Sequence, residues 1–109
     1  MLENNLLFIP GNSQISIINT NEYKLIRKIE VPNSDWITGI CLLNNNILIT
    51  GDYSETIRKW KIEGVNLILI SKKEKTHDSD INVLLNIGNE FIVSGSDDST
   101  IKIWNFNIN

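Results

Sequence analysis

The 109-residue chain has one cysteine and one histidine, and no apolar run approaches the roughly 20 residues that cross a bilayer. Cys41 cannot form an internal disulfide; inside its apolar run it reads as a small buried hydrophobe rather than a reactive thiol. The opening Met1-Leu-Glu-Asn-Asn does not read as a secretory signal. A reducing, intracellular and cytoplasmic setting with no membrane contact is the expectation. Positive charge is also short. A net charge of −3 argues against nucleic acid as a partner, and the cluster Lys72, Lys73, Lys75 is broken by Glu74 and reads as a solvated loop. There is no nucleophile motif, no glycine-rich phosphate loop and no Cys/His cluster, so no enzyme, no metal and no cofactor is expected. No stretch holds a 3.6-residue period for two turns, which leaves little room for helix.

What is present is repetition. Phe91-Ile-Val-Ser-Gly-Ser-Asp-Asp-Ser-Thr-Ile-Lys-Ile-Trp104-Asn reads as an apolar strand, a tight polar turn and a second, alternating strand. Ile47-Leu-Ile-Thr-Gly-Asp-Tyr-Ser-Glu-Thr-Ile-Arg-Lys-Trp60-Lys repeats it 44 residues earlier, and Gly51/Gly95, Thr56/Thr100 and Ile57/Ile101 keep the offset. A period of about 40–45 residues is the length of a four-stranded propeller blade. A weaker copy lies upstream: Ile15 stands 42 residues before Ile57, and Ile18 falls where the later copies carry Trp60 and Trp104.

Apolar runs of four to seven residues, bounded by Gly, Asn, Pro and Asp, predict ten short strands over residues 6–9, 14–19, 23–31, 37–43, 47–50, 56–62, 67–71, 81–87, 90–94 and 100–106. The expected fold is all-β, built of antiparallel four-stranded propeller sheets in an incomplete ring. With each repeat's strands lettered a to d, residues 1–31 carry b-c-d, residues 32–75 a complete a-b-c-d, and residues 76–109 a-b-c.

The segment Ser94-Gly-Ser-Asp-Asp-Ser-Thr-Ile-Lys-Ile-Trp104-Asn, with Thr76-His77 ahead of it, resembles the WD40-repeat family of β-propellers. Thr76 stands where the family commonly has Gly and Asn105 where it closes on Asp, while His77, Asp98 and Trp104 hold their places. The resemblance implies a structural network: Asp98 accepting from His77, the imidazole reaching a strand-b hydroxyl, and that hydroxyl meeting the Trp104 indole. Ser94 is the expected hydroxyl, with Ser96 second. A degenerate second copy keeps Thr50 and Trp60 but has Asn33 and Ser54 where the His and Asp would stand, so a looser top edge is expected there.

The resemblance also implies a function: a scaffold that binds protein or peptide partners on the face carrying the d–a and b–c loops. The candidate residues are Trp36, Tyr53, Asp35, Asp52 and Asp97, with Glu55, Asp78 and Asp80 on the same face. An exposed Trp or Tyr beside carboxylates suits a basic peptide; the plainer reading is that Trp36 packs over the start of strand a. A metal-assisted propeller hydrolase and a ubiquitin-ligase-type substrate adaptor are the alternatives. Because propellers run from about four to eight blades, a chain with fewer than three is expected to be a fragment that needs further blades or subunits to close a ring.

Overall fold

The computed structural model describes residues 2–3 and 5–106, with side chains from Asn5 to Phe106. Three antiparallel sheets follow one another along the chain. The first joins β1 (Leu2–Glu3), β2 (Leu6–Pro10), β3 (Gln14–Asn19) and β4 (Lys24–Glu30). The second joins β5 (Ile37–Asn44), β6 (Ile47–Asp52), β7 (Ile57–Glu63) and β8 (Asn66–Lys73). The third joins β9 (Ile81–Gly88), β10 (Phe91–Ser96) and β11 (Ile101–Asn105). Each is a meander in which sequence neighbours pair, the arrangement of a propeller blade. The first sheet has a fourth strand that the sequence reading lacks: Leu2–Glu3 pairs with Leu6 and Leu7. Two residues are too few to show an alternation, so only the backbone pairing reveals it.

The registers repeat as the sequence does. Leu7 pairs with Ile18, Leu48 with Trp60 and Ile92 with Trp104. The outer strands β4 and β8 slip register at the same point, between Ile17 and Ile18 and between Lys59 and Trp60. The b–c turns agree as well. Ser13, Glu55 and Ser99, each just ahead of strand c, all take left-handed φ, at 57°, 58° and 70°. A type I turn closed by one left-handed residue is a common hairpin connection. Here Asp52 and Ser96 carbonyls accept from the Glu55 and Ser99 N–H groups, both at 3.2 Å.

The sheets stack face to face through two apolar layers. Phe8, Ile15, Ile17 and Val31 of the first meet Ile37, Leu48 and Trp60 of the second. Cys41, Leu43, Ile49 and Ile57, from the opposite face of the second, meet Ile81, Leu84, Ile92 and Phe106. The middle sheet is therefore covered on both faces, which is why β5 and β6 read as largely apolar runs. The close approach of the second and third sheets depends on small residues: a Cβ on Gly51 would stand 2.8 Å from Ile81, and one on Gly39, its register partner, 2.9 Å from Leu84. Asn86 Nδ2 donates across the same seam to the Leu42 and Leu43 carbonyls at 2.8 and 3.1 Å. Burial pushes the Cys41 thiol up to about 12, so it sits in this layer as an uncharged hydrophobe.

Candidate functional site

One polar network ties the third sheet to the loop that enters it. Ile92 pairs with Trp104, so Ser94, two residues on, shares a face with the indole. The Trp104 Nε1–H donates to Ser94 Oγ at 2.8 Å, and Ser94 Oγ lies 2.7 Å from His77 Nε2. His77 Nδ1 lies 3.0 Å from both Asp98 Oδ2 and Thr100 Oγ1. Donor bookkeeping assigns the protons. Ser94 already accepts from the indole and donates to Nε2, so the proton on Nδ1 points to Asp98. Asp98 also accepts from the Thr100 hydroxyl at 2.5 Å and from the backbone N–H groups of Asp78 and Thr100 at 2.9 and 2.8 Å. These donors, the Thr100 hydroxyl foremost, hold its carboxyl well below the usual carboxylate range. His77 and Ser94 are buried, and the network clasps the loop to the sheet.

The middle sheet keeps half of this arrangement and replaces the rest. Trp60 Nε1 donates to Thr50 Oγ1 at 2.9 Å, 44 residues before the Trp104–Ser94 bond. In place of the His–Asp link stands a buried ion pair, Arg58 to Asp52 at 2.5 Å. Asp52 accepts from the Ser54 and Thr56 N–H groups at 2.9 and 3.1 Å, and Arg58 also donates to the Asn33 carbonyl at 3.3 Å. The expected looser top edge is thus braced by a different pair. Asp52 must also be corrected as a partner-binding candidate: at 1% exposure, with its oxygens committed, it offers nothing to a ligand. Arg58 was the missed residue. The signal for it was a cation between the buried positions Ile57 and Trp60, six residues after a carboxylate across a tight turn.

The remaining candidates lie on one edge of the stack, where the d–a and b–c loops emerge. Trp36 is 51% exposed and Tyr53 43% exposed. Their loops are joined by the Tyr53 N–H to the Trp36 carbonyl at 3.0 Å and by Ser54 Oγ to Asp35 Oδ2 at 2.9 Å. A third loop holds the other side: Ser13 N–H donates to the Asp35 carbonyl at 3.0 Å, and Asn12 and Trp36 form a β-bridge. Asp97 is exposed one repeat further on, accepting from the Asn82 side-chain amide while its N–H donates to the Asp80 carbonyl at 3.1 Å. Among the described residues no group of three or more His, Cys, Asp or Glu is placed to hold a metal ion. No described helix is long and apolar enough to cross a membrane.

Stacked antiparallel meanders, two of four strands and one of three, have the arrangement of β-propeller blades. The chain carries a WD40 repeat: residues 70–105 match the family model of the WD domain, G-beta repeat. It is 32% identical over 72 residues, 66% of this chain, to the ribosome biogenesis protein YTM1 of Vanderwaltozyma polyspora. It is 31% identical over 103 residues, 86% of this chain, to human dynein axonemal assembly factor 10. The chain spans only 15% and 28% of those relatives' lengths. Its fold superposes on U3-55K with a TM-score of 0.79 at 13% identity, covering 94% of this chain and 31% of that one. A chain of the mitotic checkpoint complex gives 0.79 at 16% identity, covering 94% and 34%.

Proposed function

We propose that this chain is a non-catalytic part of a larger WD40 propeller that binds protein or peptide partners on the face carrying the d–a and b–c loops. The observation that carries the binding reading is the pair Trp36 and Tyr53, exposed aromatics on loops whose backbones are bonded to each other. Large aromatics on rigid supports bind with little loss of conformational entropy. Asp35 and Asp97 add carboxylates at the rim, and Asp52 with Arg58 holds the loop from beneath. The relatives' names, a ribosome biogenesis protein and a dynein assembly factor, fit a scaffold in an intracellular, cytoplasmic assembly process.

The need for further blades rests on the outer face of the third sheet. Ile15 and Ile57 are 0% and 1% exposed beneath the next sheet, whereas Ile101 at the same repeat position is 75% exposed. Val83, Leu85, Ile87 and Ile103 share that face, each exposed by half or more. The same apolar pattern that seats a sheet twice within the chain is presented a third time with no described sheet on it. Several hundred Å² of such surface corresponds to about 10 kcal/mol at roughly 25 cal/mol per Å².

A photo-crosslinking amino acid tests the binding face. Placed at Trp36 or Tyr53 it should give discrete adducts with partner proteins in cells, and placed at Asn45, in an a–b turn at the opposite edge, it should give none. Adducts at Asn45 alone would put the binding surface elsewhere.

A further inference from the structure

We infer that the Trp36–Tyr53 platform takes an arginine side chain of its partner, the guanidinium stacking on the Trp36 ring. This rests on the reading of that face as a binding surface and adds the chemistry of what binds.

Three observations point to a cation rather than an apolar side chain. First, the aromatics are held open. Trp36 is fixed by its backbone to Asn12 on one side and to Tyr53 on the other, so it stands half-exposed in a loop that cannot fold it away. Second, charge on the neighbouring loops is mainly acidic, and the Lys102 ammonium that reaches them is tied to the Thr76 carbonyl. Segments 32–36, 52–56, 76–80 and 96–100 carry Asp35, Glu55, Asp78, Asp80 and Asp97 among their acidic residues, and no Lys or Arg. Third, the basic residue nearest in sequence to the platform, Arg58, is committed to Asp52 and the Asn33 carbonyl and does not offset the field. Asp35 precedes Trp36 in the chain, and the Ser54 hydroxyl steadies its carboxylate. Exposed aromatics and a carboxylate on the same pair of bonded loops suit a guanidinium: the ring quadrupole attracts the cation, the planar group stacks, and a carboxylate can accept from its N–H groups. An apolar side chain there would gain the ring contact but strip water from Asp35 without return.

The test is ¹⁵N NMR of the tryptophan indoles in the full chain carrying Leu85→Lys and Ile103→Lys, which charge the exposed outer face of the third sheet against self-association, titrated with three blocked pentapeptides: Gly-Arg-Gly-Arg-Gly and its Lys and Glu counterparts. Trp60 and Trp104 are hydrogen-bonded inside the stack and serve as internal references. The arginine peptide should move the Trp36 indole saturably and leave the other two in place. The lysine peptide should bind more weakly and the glutamate peptide not at all. Affinity should fall as sodium chloride rises from 50 to 300 mM. Read at the Tyr53 backbone amide, which is bonded to the residue 36 carbonyl, Trp36→Ala should weaken binding about tenfold or more, and Asp35→Asn, which keeps an acceptor for Ser54, about two- to fivefold. An unmoved Trp36 indole at millimolar arginine peptide, or equal shifts from the glutamate peptide, overturns the inference. Crosslinking at Trp36 that persists in that case leaves the binding face standing without its arginine. Arginine-peptide binding without any adducts at Trp36 or Tyr53 keeps the cation site but removes the protein-docking role.

Discussion

Replacing Ser94 by alanine should remove the centre of the clasp and cost far more than a lost hydroxyl on the surface. Ser94 is fully buried and serves two partners at once, accepting from the Trp104 indole and donating to His77 Nε2. Without it, His77 Nε2 stays buried with no donor, a loss of about 1–3 kcal/mol. Trp104 is only half-buried, so its bond is worth about 0.5–1.5 kcal/mol. Together the change should destabilise the chain by roughly 2–4 kcal/mol. Urea unfolding followed by tryptophan fluorescence at low micromolar protein reads this directly. With a slope of about 1–3 kcal/mol per M, the midpoint should drop by roughly 1–2 M. Ser94→Thr restores the hydroxyl, as Thr50 supplies it in the middle sheet, and should lose less than alanine despite its extra methyl group. An alanine variant within about 0.5 kcal/mol of the parent, the scale of an ordinary surface change, would refute the clasp, as would threonine behaving worse than alanine.

Asp52→Ser should cost about 3–5 kcal/mol, because the hydroxyl can still accept from the turn, as Ser96 does, but Arg58 is left as a buried unpaired charge. Adding Arg58→Leu should recover most of that loss in the same urea assay. Asp98 sets an acid dependence: its folded-state pKa is lowered, so its contribution is present above the unfolded carboxylate value of about 3.9 and is lost as pH falls below it. The urea midpoint should therefore decline with pH below about 4, and Asp98→Asn should flatten that decline.

The blades were legible because stacking demands the same residue at the same offset. Ile57 and Ile101, Thr50 and Ser94, and Trp60 and Trp104 show it in side chains, and their hydrogen bonds repeat 44 residues apart. The clasp residues were named through the resemblance of His77 and residues 94–105 to the WD40 repeat, and His77 lies within hydrogen-bond distance of Ser94 and Asp98. Burial within loops was not legible. Asp52 and Tyr53 are consecutive residues of one acidic, aromatic turn, yet one is sealed beneath Arg58 and the other faces solvent. A pattern of residue types cannot tell which way a turn rolls; the Asp52 bonds to Ser54 and Thr56 decide it. Lys59 shows the same limit, lying buried between sheets with its ammonium 3.4 Å from the Phe106 carbonyl, where the first repeat has Ile17.

Size-exclusion chromatography with light scattering on the purified 109-residue chain, with near-ultraviolet circular dichroism on the same peak, tests most directly whether the outer face of the third sheet is a seat for another blade. The unaltered chain should self-associate into a broad, concentration-dependent distribution, and Leu85→Lys with Ile103→Lys should shift it to monomer by charging that face. A monodisperse monomer or a discrete closed ring with fixed tryptophan signals, unchanged by the two lysines, would contradict the account.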